Sequence, residues 1–113
     1  MHEISLLENV LEILLEYAES QDFTQVKKVC LEVGQLSSIE TDALRFGFDV
    51  VMKNTLAENA ELEIIIAEGL GICQQCKKMV NIQALHDPCP LCGHADVKVA
   101  QGMDMKIKDL IVI

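Results

Sequence analysis

The sequence is poor in aromatic and basic residues. Its 113 residues include no tryptophan, one tyrosine and three phenylalanines, and nine Lys and Arg stand against eighteen Asp and Glu. The formal net charge of -9 would repel nucleic acid, and few aromatic rings are available to stack on bases. We therefore expect no nucleic-acid partner, whereas an acidic surface suits a basic protein partner.

The sequence also lacks long apolar runs and targeting signals. No apolar stretch approaches the roughly twenty residues that a membrane-spanning helix needs. The first residues do not show a basic segment followed by an apolar run and a small-residue cleavage site, which disfavours secretion. We therefore expect no membrane partner and a cytoplasmic location, where a reducing environment keeps cysteines free.

Four of the five cysteines form a metal-binding pattern. Cys73 and Cys76 make one C-x-x-C pair, Cys89 and Cys92 make a second, and twelve residues separate the pairs. Each pair brings two thiolates onto one tight turn, so four sulfurs can surround a single ion at about 2.3 Å. Gly93 follows the second pair and can take the positive φ that directs backbone amides at sulfur. This spacing predicts a tetrahedral, structural zinc site, and the stretch between the pairs is long enough for a small hairpin.

Other interpretations apply to the same region. The cysteines can instead form two disulfides, which a reducing compartment disfavours. His86 and His94 lie near the second pair, and either can replace a thiolate if the site rearranges. Because four thiolates already satisfy zinc, surface imidazoles are the favoured interpretation. Cys30 lies apart in an apolar run, where a free cysteine behaves as a small hydrophobic residue.

Hydrophobic periodicity predicts two helices and three strands outside the cysteine region. The predicted elements are, in chain order, a helix at 4–20, a strand at 26–33, a helix at 41–53, a strand at 60–67 and a strand at 104–113. Gly47 lowers helix propensity within the second helix, and it is consistent with close packing there.

These elements predict an α+β fold in which a small sheet packs against two helices. The chain leaves the sheet after residue 67 and returns as the last strand, so we expect two domains. One lobe comprises residues 1–68 plus 102–113, and residues 69–101 form an inserted zinc lobe of the zinc-ribbon or rubredoxin-like type. A bound zinc ion supplies folding free energy that about thirty residues cannot gain from burial alone. Either a monomer or a homodimer is compatible with the sequence.

The first three residues form a second candidate metal site. Met1, His2 and Glu3 place a free α-amine, an imidazole and a carboxylate immediately before the first predicted helix. The amine, an amide nitrogen and the imidazole can occupy adjacent corners of a square plane, a geometry that suits Ni(II) or Cu(II) better than zinc. The alternative is a solvated tail.

Short motifs extend over nearly the whole chain in a fixed order. They are Met1-His2-Glu3-Ile4-Ser5-Leu6, Val33-Gly34-Gln35-Leu36-Ser37-Ser38-Ile39-Glu40, Leu44-x-Phe46-x-Phe48, Thr55 with Ala60-x-Leu62-x-Ile64, and the two cysteine pairs with Pro90 and Gly93. Together they resemble the HypA/HybF family, whose members are nickel metallochaperones for the maturation of nickel-iron hydrogenase and, in some organisms, urease. An initial Met-His-Glu combined with a four-cysteine knuckle carries most of this resemblance.

The resemblance implies a residue set for each metal. His2 matches the essential nickel ligand, and the amine of Met1 with nearby backbone nitrogens completes the site. Glu3 serves as a ligand or close support, and Glu40 is the weakest nickel candidate. The four cysteines of the two pairs match the zinc ligands. The lobe at 1–68 plus 102–113 is then the nickel-binding lobe.

The implied function is that of a carrier and not of an enzyme. The protein would bind Ni(II) at its N-terminus and deliver it to nickel-iron hydrogenase, or to urease, while Zn(II) remains structural. The implied partners are the nickel-supplying GTPase HypB, the hydrogenase large subunit and, where urease is the recipient, urease maturation proteins.

Two alternatives come from other classes of protein. A zinc-ribbon adaptor would recognise a protein or RNA and would have no nickel function. A small metal-dependent hydrolase is disfavoured, because four thiolates leave no open position on zinc. The sequence also offers no glycine-rich phosphate loop and no Ser/His/Asp or Cys/His set at a recognisable spacing.

Overall fold

The computed structural model describes residues 3–113, so the predicted ligands Met1 and His2 lie outside the described residues. The elements are, in chain order, α1 (Glu3–Gln21), β1 (Val26–Gly34), α2 (Thr41–Met52), β2 (Glu61–Ala67), β3 (Leu70–Cys73), β4 (Met79–Asn81), β5 (Val97–Gln101) and β6 (Met105–Val112). The predicted α+β class is confirmed, and each helix or strand predicted outside the cysteine region lies within one residue of the observed bounds. Neither helix of this described part combines the length and apolar character needed to cross a membrane.

The chain forms two compact units. The first comprises Met1–Leu31, Ile39–Ile64 and Ile107–Ile113, and the second comprises Glu32–Ser38 and Ile65–Lys106. The first unit contains both helices, and the second contains β3, β4 and β5. The functional division into a lobe at 1–68 plus 102–113 and a zinc lobe at 69–101 stays a prediction.

The helices of the first unit each bury one stripe of side chains. The buried positions are Leu7, Val10 and Leu14 on α1 and Leu44, Phe48 and Met52 on α2. Their spacing of three to four residues means that burial, more than intrinsic propensity, stabilises both helices. A Cβ at Gly47 would lie 2.9 Å from Cδ1 of Ile4, so α2 packs closely at this glycine. Cys30 is also buried, as expected for a cysteine that behaves as a small hydrophobic residue.

The strands form two three-stranded sheets. The first has the order β2-β1-β6, so the two strands that flank the cysteine region share a sheet, with β1 between them. In the second sheet, β3 pairs antiparallel with both β4 and β5. The stretch between the cysteine pairs is long enough for a hairpin but does not form one of its own, because β4 is the one strand within residues 77–88, all of which are described. That strand pairs with β3, since the first C-x-x-C turn itself reverses the chain between these strands.

Gly34, at the end of β1, tolerates no side chain. A Cβ at this position would collide with the carbonyl of Gly102 and lie 2.9 Å from the amide nitrogen of Met103. The Gly34 amide also donates to the Asp104 carbonyl at 2.8 Å, which holds the two segments together. Gly34→Ala is therefore expected to lower the free energy of unfolding by about 1–3 kcal/mol, measured by urea denaturation.

Gly47→Ala is the matched control for this prediction. The atoms nearest to a Cβ at Gly47 are the ends of the flexible Ile4 and Leu7 side chains, which can rotate away. A gain of about 1 kcal/mol in helix propensity offsets the remaining crowding. Equal destabilisation by the two substitutions would contradict the distinction between a backbone collision and a side-chain contact.

Candidate metal centres

The four cysteines of the two pairs surround one point in the second unit. Their Sγ atoms all lie within 4.8 Å of one another. The Sγ atoms of Cys73 and Cys92 are 3.5 Å apart, and those of Cys76 and Cys89 are 3.8 Å apart. A tetrahedral zinc ion with Zn–S bonds of about 2.3 Å requires sulfurs separated by roughly 3.8 Å. The cluster therefore fits zinc, and all five cysteines of the chain are free of disulfides.

The two C-x-x-C turns have matching backbone hydrogen bonds. The Lys77 amide donates to the Cys73 carbonyl at 2.9 Å, and the Gly93 amide donates to the Cys89 carbonyl at 2.8 Å. Lys77 and Gly93 both have positive φ, at 61° and 79°. The positive φ predicted at Gly93 is confirmed. Lys77 adopts the same conformation although it carries a Cβ, so glycine marks only one of the two turns in the sequence.

The cluster belongs to the small core of the second unit. The buried side chains of this core are Leu36, Cys73, Val80, Ile82 and Cys89. Cys76 is half-buried and Cys92 is exposed, so the cluster has an inner and an outer side. Because so few aliphatic side chains are buried here, a bound ion would supply much of the stability of this segment.

Hydrogen bonds and burial separate the pKa values of the thiols. The amide of Cys76 lowers the pKa of Cys73 to about 6 by hydrogen bonding to its sulfur. Burial raises the pKa of Cys89, but amide hydrogen bonds from Cys92 and its neighbour outweigh it and lower the pKa. The amide of His94 lowers the pKa of Cys92, yet the adjacent sulfurs and burial raise it to about 11. At neutral pH, Cys73 is therefore mainly a thiolate, whereas Cys92 keeps its proton. A metal ion that binds Cys92 must displace that proton.

The two histidines near the cluster do not belong to its ligand group. Within residues 3–113, the group that can hold an ion consists of the four cysteines. His94 contributes through its backbone, because its carbonyl accepts a hydrogen bond from the Cys89 amide at 2.9 Å. The favoured interpretation of both imidazoles as side chains outside the metal site agrees with this geometry.

Asp87 shapes the loop that leads to the second pair. Its carboxylate accepts hydrogen bonds from the amides of Gln83 and Ala84, both at 3.1 Å. His86, inside the same loop, has a φ of 71°. Sequence reasoning missed this role, since an aspartate in a polar loop is too common to identify one turn.

The predicted nickel residues lie partly within the described chain. Glu3 begins α1, and Glu40 is the N-cap residue of α2. The Glu40 amide donates a hydrogen bond to the Glu3 carboxylate, with 3.3 Å between the nitrogen and Oε2. The structure therefore brings together two of the four predicted nickel residues, whereas Met1 and His2 lie outside the described residues.

The contact between Glu3 and Glu40 also supports the start of α2. The Glu40 side chain makes no capping hydrogen bond of its own. A carboxylate from another helix at this position is favourable, because the first turn of a helix has unpaired amides and a partial positive charge. The two residues are 37 positions apart, so no local sequence signal indicates the contact.

The fold and the four-thiol cluster define a small α+β protein with a metal knuckle. The sequence profile of the family described as "Hydrogenase/urease nickel incorporation, metallochaperone, hypA" matches residues 1–112. The chain belongs to this HypA family. The family consists of metallochaperones that act in hydrogenase maturation and not of enzymes, so both the predicted family and the prediction of a non-enzymatic protein are confirmed.

Relatives match the chain over almost its whole length. Proteins named hydrogenase maturation factor HypA are 46% identical in Alkalilimnicola ehrlichii and 45% identical in Acidithiobacillus ferrooxidans, each over 99% of both chains. The protein of that name in Beijerinckia indica is 44% identical over 100% of both chains. The solution structure of the Ni metallochaperone HypA from Helicobacter pylori has a TM-score of 0.75 at 22% identity. This match covers 100% of this chain and 98% of that chain, and it supports the fold.

Proposed function

We propose that this protein binds Ni(II) through its N-terminus and delivers it to a nickel-iron hydrogenase. The main support is membership of a family of nickel-incorporation metallochaperones over residues 1–112. The strongest structural support is the hydrogen bond between the Glu40 amide and the Glu3 carboxylate. It joins two residues that were predicted as nickel ligands and that lie in distant parts of the chain. Delivery to urease is the corresponding proposal for a host that makes that enzyme.

In the proposed nickel site, nitrogen donors bind most strongly. The imidazole of His2 and the amine of Met1 are ligands that Ni(II) favours, and a deprotonated amide nitrogen can join them in a square plane. Glu3 holds the start of α1 against α2 through the Glu40 amide, and its carboxylate supports or joins the ligand set. A terminal site with few protein ligands keeps its ion exchangeable, which a carrier requires.

In the same proposal, zinc is bound by the four cysteines and is structural. Four thiolates complete a tetrahedron and leave no position for water or substrate. Two of the sulfur–sulfur distances are 3.5 and 3.8 Å and all lie within 4.8 Å, a spacing that suits this ion. Zinc then stabilises the segment that contains β3, β4 and β5, and it takes no part in nickel transfer.

The proposed partners are the nickel-supplying GTPase HypB and the large subunit of the hydrogenase. Urease maturation proteins are the corresponding partners where urease is the recipient. The net charge of -9 favours docking on basic patches of these proteins. We place the protein in the cytoplasm, whose reducing conditions keep the four cysteines available to the metal.

A short Gly-Ser extension before Met1 tests the proposed nickel site. The extension converts the α-amine into an amide but leaves the cysteines unchanged. We expect Ni(II) affinity in a calorimetric titration to fall by at least about tenfold, or about 1.4 kcal/mol, with zinc content unchanged. The same extension after Ile113 is the control and should have no effect. Unchanged nickel affinity would reject the amine as a ligand, and absence of nickel binding by the unmodified chain would favour a zinc-ribbon adaptor.

A further inference from the structure

An open cleft lies in the first unit beside the end of α1 and the strand β6. Its volume is about 510 Å³, and it is lined by Tyr17, Gln21, Phe23, Leu110 and Val112. Tyr17 is 47% exposed and Val112 is 39% exposed, so apolar surface faces solvent. Two of the four aromatic residues of the chain line this cleft. A concave apolar surface with aromatic side chains is typical of sites that bind a partner's side chain.

Acidic residues lie close in sequence to the residues that line the cleft. Four exposed carboxylates lie within two sequence positions of a lining residue, whereas the same windows contain one basic residue, Lys108. The carboxylates belong to Glu16, Glu19, Asp22 and Asp109. The first unit as a whole has thirteen Asp and Glu against five Lys and Arg, a net charge of -8.

The net negative charge of the first unit limits which kinds of molecule can bind in the cleft. Nucleic acid and anionic lipid surfaces would be repelled, because both carry negative charge. A second copy of the same unit would bring another net charge of -8 against the first. An occupant that combines apolar side chains with Lys or Arg would complement both the apolar lining of the cleft and the negative charge of the first unit.

We propose that this cleft is the docking site for a basic amphipathic segment of a partner protein. An apolar side chain of the segment fills the space beside Tyr17, Phe23 and Leu110, and its basic side chains are attracted by the net negative charge of the first unit. Tyrosine suits such an anchor, because its ring offers a large, rigid contact area at low cost in conformational entropy. The proposal goes beyond the proposed function, since docking here needs neither bound nickel nor its ligands.

The position of the cleft along α1 separates docking from metal binding. Tyr17 and Glu3 are fourteen residues apart on the same helix, a distance of about 21 Å at a rise of 1.5 Å per residue. A single segment bound at the cleft would therefore leave the start of α1 accessible. A partner can then be held while the ion at the N-terminus remains exchangeable.

The single tyrosine makes occupancy of the cleft observable. The chain has no tryptophan, so its tyrosine emission comes from Tyr17. The probe is an amphipathic helical peptide of leucine and lysine, about fourteen residues long and without aromatic residues. Titration into the zinc-loaded, nickel-free protein is expected to change Tyr17 emission saturably. A peptide with glutamate in place of each lysine should bind at least tenfold more weakly, and added salt should weaken the lysine peptide.

Charge-neutral truncations test which residues bind the probe. The double variant Leu110→Ala, Val112→Ala shortens the apolar lining and keeps Tyr17 as the reporter, so we expect at least tenfold weaker binding. Phe46→Ala is the matched control, because Phe46 is 76% exposed on α2 and does not line the cleft. This control should bind the peptide as the unmodified protein does, and far-ultraviolet circular dichroism verifies that both variants remain folded.

Several results would overturn the proposal. They are the absence of a saturable change in emission, equal affinity for the glutamate peptide, and equal weakening by Phe46→Ala. Self-association in sedimentation experiments that the double variant abolishes would make the cleft an interface between copies. Binding of phosphatidylglycerol vesicles at the cleft would make it a membrane contact. Every one of these measurements is made without nickel. A negative result would therefore reject docking at the cleft and would not affect the proposed nickel site, which the N-terminal extension tests separately.

Discussion

Replacing Cys73 with alanine is expected to remove zinc from the protein and to unfold the segment around the four cysteines. Cys73 is fully buried, and its sulfur accepts a hydrogen bond from the Cys76 amide at 3.4 Å. Loss of one thiolate opens the tetrahedron, and structural zinc in small domains contributes about 10–16 kcal/mol of apparent binding free energy. That is as large as the whole stability of a typical domain.

Metal analysis and amide NMR spectra measure this effect. The zinc content of Cys73→Ala should fall from one ion per chain to near zero, and the amide signals of β3, β4 and β5 should lose their dispersion. Cys30→Ala is the matched control, because Cys30 is equally buried but lies outside the four-cysteine group. It should retain zinc and lose about 1 kcal/mol of stability through the small cavity. A Cys73→Ala protein with full zinc content would rule out this cysteine as a ligand.

Acid should have the same effect as the loss of a thiolate. Zinc binds the deprotonated sulfurs, so protons compete with it increasingly as the pH falls. The pKa of Cys73 is lowered to about 6, which keeps this sulfur available at neutral pH and protonates it below that value. Zinc occupancy should therefore fall as the pH is lowered into the acid range, with a midpoint below the pKa of the free Cys73 thiol because the bound ion competes with protons.

Replacing His2 with alanine is expected to abolish Ni(II) binding at the N-terminus and to leave zinc in place. An imidazole nitrogen is a much better donor to Ni(II) than a carboxylate oxygen, and without it the amine of Met1 loses its chelate partner. We expect at least a hundredfold loss of nickel affinity, or about 2.7 kcal/mol, in a calorimetric titration. Hydrogenase activity should fall in cells whose own copy of the protein carries the substitution.

Two companion variants make the result specific. His86→Ala removes an imidazole that lies outside the metal group, and it should leave nickel affinity unchanged. Glu3→Gln keeps an oxygen that can accept the hydrogen bond from the Glu40 amide, but it removes the negative charge. Near-normal nickel affinity in Glu3→Gln would assign Glu3 a supporting role, whereas a large loss would assign it to the ligand set. If His2→Ala bound and delivered nickel normally, the nickel proposal would fail.

The regular elements and the cysteine pattern were predictable because local interactions decide them. The heptad-like spacing of Leu7, Val10 and Leu14 forms a helix wherever that stripe is buried. The two C-x-x-C turns depend on hydrogen bonds between residues four positions apart, such as Lys77 to Cys73. Interactions of this kind join residues only a few positions apart, so a short segment contains all the information that they need. The predicted bounds of the helices and strands therefore agree with the observed ones.

Pairings between distant segments were not predictable in the same way. The central place of β1, between β2 and β6, depends on which edges meet, and hydrophobic periodicity does not contain that information. The pairing of β3 with β5 is of this kind, because it brings Cys73 beside Val97 from beyond the second cysteine pair. Strand order is a property of the assembled sheet.

The sequence by itself determined the class of fold, the family and the candidate ligands, because spacing, periodicity and an ordered set of motifs are carried by the chain. The tertiary structure alone decided that Glu3 meets Glu40 across 37 residues, and that Tyr17 and Phe23 share a cleft with Leu110 and Val112. These contacts form only when the first unit packs its helices and strands together. Long-range packing depends on the combined shape and burial of many residues, and no single stretch of sequence specifies it.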